Sequence, residues 1–204
     1  MRPTVCRALV VATALCLPAC QQPQSSTSET SSATAPASVA DKPFVAGGKI
    51  DFDLDGGGYE IKAAADNHIR VAVSGTPGTS KVDVTVDGSH ATVKIKDTPH
   101  SNFRAIVEVP ATADIVVRLS GGELKMGAIA GDKDVESNGG NVQISVGDPN
   151  DYAHVDAAVK AGNIDAQPFG GSKSGLMQAF TWSGTGKHTL RAHLGAGNLA
   201  LVTR

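Results

Sequence analysis

Cysteine is nearly missing from this chain of 204 residues, and its placement excludes several chemistries. The three cysteines are Cys6, Cys16 and Cys20, and none follows position 20. Beyond that point the chain can hold no intramolecular disulfide, no thiolate zinc site and no cysteine nucleophile. Aromatic residues make up only 4% of the chain, which is thin for a platform that stacks sugars or bases. Charge is weak in either sign, with 18 basic and 20 acidic residues leaving a net −2. A nucleic-acid surface calls for a basic patch or stripe, and an anionic-membrane surface for a polybasic segment. Neither partner is expected. Also lacking are an apolar run near the ~20 residues of a membrane-spanning helix and any convincing amphipathic helix of about ten residues or more.

What is present begins at the N-terminus. Arg2 and Arg7 make it basic, and Ala8 to Leu17 is an uncharged, mostly apolar run. A basic start, a short apolar stretch and a small-residue cleavage region make a secretory signal. Leu17-Pro18-Ala19-Cys20 resembles the bacterial lipobox. The resemblance implies cleavage after residue 19, with Cys20 as the new N-terminus carrying a diacylglycerol and an N-acyl chain. Cys6 and Cys16 then leave with the signal, and the net charge becomes −4 once Arg2 and Arg7 go with them. Buried acyl chains contribute about 0.8 kcal/mol per CH₂, and two such signals anchor stably. The expected membrane partner is thus reached through lipid on Cys20. An aspartate directly after the cysteine is the familiar inner-membrane retention signal, and here the residue is Gln21. In a host with two membranes the expected location is the outer one.

Residues 21 to 43 read QQPQSSTSETSSATAPASVADKP, with Val39 the only large apolar side chain. Such a segment buries too little to offset its ordering entropy, so 20–43 reads as a disordered tether with a reach on the order of 25 Å. Residues 44–204 are a normal size for one domain.

Period-two apolar alternation fills that domain. Ile50, Phe52 and Leu54 alternate with Asp51, Asp53 and Asp55. The same pattern recurs at 69–73, 82–86, 93–95, 103–109, 115–119, 142–146, 155–161, 190–194 and 199–201. Glycine and proline number 23 and 10, enough to punctuate many tight corners. A short repeat recurs among them: Gly121-Gly122-Glu123-Leu124, Gly139-Gly140-Asn141-Val142, Ala161-Gly162-Asn163-Ile164 and Ala196-Gly197-Asn198-Leu199. Its second residues are 18, 22 and 35 apart, and the long last gap leaves room for a hidden copy. Each unit cannot bury its apolar row alone, and stacking units makes a continuous core. The expected fold is all-β, a glycine-punctuated single-domain β-solenoid, with a β-sandwich as the alternative.

The segments Ile106–Pro110, Ile115–Leu119, Gly121–Leu124, Ile129–Val135 and Leu190–Leu199, in that order, resemble the bacterial putative-adhesin domains, also called toastrack-like. These are β-solenoids of exported and envelope proteins. Glycine-asparagine corners stand here where the family often has glycine-aspartate. The resemblance implies adhesion and supplies no catalytic residue.

The residues that invite chemistry are few. Asp51, Asp53 and Asp55 suggest a calcium loop, but the twelfth position from Asp51 is Lys62 where a bidentate Glu is required. The histidines 68, 90, 100, 154, 188 and 193 form no HxH or HExxH pair, and His188 and His193 fall on opposite faces of a strand. Gly170–Gly175 is glycine-rich but lacks phosphate-loop spacing and reads as a surface loop. No catalytic residue, metal ligand or cofactor is assigned. Phe169, Phe180 and Trp182 form the densest aromatic region, read either as an exposed contact patch or as a plug closing the end of the stack. The function expected is a non-catalytic, membrane-anchored envelope lipoprotein presenting a solenoid surface for adhesion or scaffolding to an envelope or surface ligand. The alternatives are a polysaccharide lyase or hydrolase on a β-helix, and a periplasmic sensor or assembly partner.

Overall fold

The computed structural model describes residues 37–75, 79–99 and 101–203. The signal segment, the lipobox Leu17, Pro18, Ala19 and Cys20, most of the tether, and His100 lie outside the described residues. Thirteen strands follow in order: β1 (Ala37–Pro43), β2 (Lys49–Leu54), β3 (Gly57–Ala64), β4 (His68–Gly75), β5 (Lys81–Asp87), β6 (His90–Lys96), β7 (Phe103–Pro110), β8 (Asp114–Leu119), β9 (Gly122–Met126), β10 (Lys133–Ser145), β11 (Tyr152–Ala166), β12 (Gly171–Ser183) and β13 (His188–Val202). The only helical pieces among the described residues are two single 3-10 turns, Pro149–Asp151 and Gln167–Phe169.

The domain is a β-solenoid. Each coil runs along a front wall, turns a corner and continues along a back wall, and the corner is built on glycine in every coil but β6/β7. In β10 this is one strand, whose Lys133–Ser137 half pairs with β8 and whose Gly140–Ile144 half pairs with β9. The stacked coils are β6/β7, β2/β3, β8/β9, β10, β13 and β11, parallel throughout. This spatial order is not chain order. β6/β7 lies outside β2/β3, and the last strand, β13, inserts between β10 and β11. Antiparallel strands finish the stack: β4 on β7 and β1 on β4, β5 on β6, and β12 on β11.

The corner repeat is a ladder of glycines in the order 57, 122, 140, 197, 162. All have φ between the left-handed and extended regions, +114° at Gly140 and +127° at Gly197. A Cβ on Gly140 would lie 1.9 Å from the Gly122 carbonyl oxygen, and one on Gly197 would lie 1.8 Å from that of Gly140. No side chain fits such an approach at that φ. The long gap in the repeat is filled by Gly175, which pairs with Gly162 from the antiparallel β12. A further copy, Gly56-Gly57-Gly58-Tyr59, carries glycine and tyrosine where the others carry a polar and an aliphatic residue.

The alternating apolar residues read from the sequence point inward. Ile50, Phe52, Leu54, Val93, Ile95, Ile115, Val117, Leu190 and Leu194 are all buried between the walls. Two expectations change. The tether gives way to strand at Ala37, because β1 pairs along β4 from Ala37↔Val73 to Pro43↔His68. The glycine-rich segment from Gly171 is no surface loop but the start of β12, held by twelve register pairs on β11.

One inward position is charged. Lys133 takes its place in the column Ile50–Ile115–Lys133–Leu190–Val155 and is 2% exposed. Its ammonium donates to the carbonyl oxygens of Ile129 (2.6 Å) and Gly131 (3.1 Å) and to the Tyr152 hydroxyl (2.8 Å). All three of its donors therefore have acceptors. Burial pushes its pKa down to about 8, against the pull of Asp132, Asp114 and Asp151. The same burial pushes the Tyr152 phenol up. Lys133 ties the turn between β9 and β10 to the start of β11.

Candidate binding face

The front wall turns every second side chain outward, and parallel pairing aligns these into columns along the stack. One column runs Asp51–Val116–Asp134–Arg191–Asp156, the next Asp53–Arg118–Glu136–His193–Ala158. Acidic and basic side chains meet across neighbouring coils. His90 faces Asp51 at 3.1 Å, and Lys96 holds Asp53 at 2.7 Å and Asp55 at 3.1 Å. Arg118 reaches Asp134 (3.1 Å) and Glu136 (3.3 Å). Arg191 binds the same two carboxylates.

Arg191 also donates to Nδ1 of His193 at 3.0 Å. That bond places the imidazole proton on Nε2, which faces Asp156 at 3.0 Å. Partial burial pushes the Asp134 carboxyl up, and Arg118 with Arg191 overcomes that and holds it below the usual range. Arg191 is held further in its charged form, chiefly by its hydrogen bond to Glu136. The result is a fixed lattice of alternating charge on a rigid wall.

A groove of about 390 Å³ follows the margin of this lattice, lined by Asp53, Arg118, Ser120, Glu136, Asn138, Lys160 and His193. Gly195 opens it. That residue lies in the corner column between Asn138 and Lys160, where a Cβ would come 2.2 Å from the Asn138 carbonyl oxygen. The back wall is different in character. Next to the glycine ladder, Asn163 donates to Asn198 at 2.7 Å and Asn198 to Asn141 at 2.8 Å. This amide ladder ties three coils together and places no charge on the surface.

Asp51 and Asp53 are strand residues of β2 and Asp55 follows it directly, and all three are already paired with His90 or Lys96. Among the described residues no group of three or more His, Cys, Asp or Glu is placed to hold a metal. His188 and His193 do lie on opposite faces: His188 packs against Tyr152, and His193 joins the outward lattice. The three aromatics are brought together at the β12 end of the stack. Phe169 is buried, with Trp182 at 4.9 Å and Tyr152 at 5.8 Å between ring centroids. Phe180 and Trp182 are half-buried against the core. Their rings cover the last coil, and the apolar side chains that project at this end are Leu176 and Met177. The charge lattice was missed from sequence because its partners come from coils far apart in the chain, such as Arg191 and Asp134.

No protein-family profile matches the chain, and no curated protein matches it. Solved structures similar to it include three named for adhesion. A "putative cell adhesion protein" of Clostridium sporogenes is 14% identical with a TM-score of 0.48, covering 83% of this chain and 100% of its own. A "putative adhesin" of Parabacteroides merdae is 14% identical, TM-score 0.25, covering 52% of this chain and 54% of its own. A "putative adhesin" of Bacteroides fragilis is 10% identical, TM-score 0.26, covering 80% and 95%.

Proposed function

We propose that this chain is a non-catalytic envelope lipoprotein, tethered through lipid on Cys20, whose solenoid presents its front wall for adhesion or scaffolding. The observation that carries the reading is the charge lattice centred on Arg118, Asp134, Glu136, Arg191 and His193. Its acids and bases hold one another in fixed places, which suits recognition of a polar or charged surface more than proton transfer to a substrate. The lipobox supplies the tether in this reading, and the adhesion names of the similar structures agree with it.

The test has two parts. An epitope tag after Arg204, probed on intact and then permeabilised cells, decides which side of the envelope the domain faces. Signal on intact cells supports adhesion; signal only after permeabilising directs the scaffolding role to a periplasmic partner. In the second part, binding of the full chain to envelope fractions is compared with that of an Arg118→Ala/Lys160→Ala variant. Binding should fall at least tenfold in the variant and weaken with salt. Turnover of an envelope polysaccharide by the purified chain would sink the proposal.

A further inference from the structure

The two ends of the solenoid are finished differently. At one end the edge strands carry charge or proline: Lys81, Asp83 and Asp87 in β5, and Asp41, Lys42 and Pro43 in β1. Such residues are how native sheets block edge-to-edge pairing. At the other end the edge is β12, thirteen residues with one charge, Lys173. It pairs with β11 and, among the described residues, with nothing else. Leu176 and Met177 stand at its corner, 75% and 78% exposed, and Met177 is held at φ +51°. A left-handed methionine is an unfavourable conformation, of a kind that persists where something else requires it.

We propose that this end is a two-fold interface on which a second copy of the chain stacks through antiparallel β12–β12 pairing. The register follows from the corner and from the exposed Leu176 and Met177 beside it. On the back wall the even residues Ser172 and Ser174 point outward, opposite Asp165 and Asn163. On the front wall the odd residues Ala179 and Thr181 point outward, opposite Ala158 and Asp156. The corner shifts the alternation by one, so a two-fold that keeps outward residues outward pairs even positions with odd ones, and among such registers the one that pairs Leu176 with Met177 of the other copy brings the two exposed apolar side chains together.

Every other position then agrees. Ser174 meets Ala179, Ser172 meets Thr181, and the inward Lys173 meets the inward Phe180. No like charges face each other. The exposed Leu176 and Met177 of both copies come together on the axis. The half-buried Phe180 and Trp182 gain the cover that the free end lacks. The back arm of one strand lies on the front arm of the other, as an end-to-end stack of two bent edges requires. This interface adjoins the front wall, where Thr181 lies beside Asp156, but uses no residue of the charge lattice itself.

Disulfide trapping of the full chain in its own membranes tests the register. Ser174→Cys with Ala179→Cys should give a dimer under mild oxidation. Within one chain the two sites lie on different arms of β12, five residues apart, past the ~7 Å separation that a disulfide tolerates. Either cysteine alone, the shifted pair Ser172→Cys/Ala179→Cys, and the parent chain with its native cysteines should stay at background. No dimer from the matched pair, equal dimer from the controls, or an adduct with a different protein would overturn the proposal. A second measurement needs no new cysteines. In detergent, light scattering should show a dimer for the parent chain and a monomer for Leu176→Asp/Met177→Asp, with circular dichroism unchanged. A monomeric parent, or a folded variant that remains a dimer, overturns it equally.

Discussion

At the scale of single residues the structure separates glycines that bear on the fold from those that only turn the chain. Gly140 combines φ +114° with a carbonyl oxygen 1.9 Å from where its Cβ would be. Gly47 has φ +70° and open space around it. Gly140→Ala should cost about 3 kcal/mol or more, since strain and overpacking add. Gly47→Ala should cost about 1 kcal/mol, from conformation alone. Urea unfolding of the two variants checks the contrast.

Lys133 gives a second residue-scale prediction, one of pH. Its folded pKa is about 8, against 10.5 for the free side chain. Between these values the unfolded chain holds a proton that the folded one has released, so stability from this group rises with pH. Below pH 8 both states are protonated and the penalty of the buried charge is full. Lys133→Met removes the titrating group. The stability difference between parent and variant should therefore shift by about 2 kcal/mol in the parent's favour between pH 7.5 and 9.5. An unchanged difference across that range would show that the ammonium is not desolvated.

At the scale of elements, the β12 end depends on its aromatic cover. Phe169 follows β11, is buried, and stacks against Trp182 from β12. Phe169→Ala should lower stability by about 3 kcal/mol, read as a lower urea midpoint. Arg118→Ala should lower it by less than 1 kcal/mol, because half-exposed ion pairs contribute little. The lattice is then available for binding without being needed for folding.

How far elements were legible depends on where they sit in the stack. Interior strands carry full alternation, and Ile50-Phe52-Leu54 or Val155-Ala157-Val159 announce themselves. β12 does not, because it forms the last layer. Its inward positions are the half-covered Trp182, Phe180 and Gln178 and the exposed Lys173, so selection for apolar residues is weak there. β9 and the first half of β10 offer too few inward apolar residues, and Lys133 occupies one of them. The glycine ladder was legible because backbone sterics fix it locally. The charge lattice was not, since it depends on which coils become neighbours.

That neighbour order governs the whole molecule. In a simple solenoid each coil touches only the coils before and after it in sequence, so a terminal coil can be removed and the remainder still stacks. Here the C-terminal strand β13 is interior. It pairs along its length with β10 on one side and β11 on the other. Deleting residues 188–204 would separate β11 and β12 from the rest and leave the inward faces of both remnants uncovered, with Val155, Val159 and Ile164 among the residues exposed. The glycine ladder would also lose Gly197 from its middle. The expected outcome is loss of cooperative unfolding: the parent chain should melt in one sharp transition, and the truncated chain should show a broad, non-cooperative one by circular dichroism and bind a hydrophobic dye. A truncated chain that kept a sharp transition would mean that β11 can close directly on β10. β13 would then be a late addition to a finished stack, and not the strand that joins its two parts.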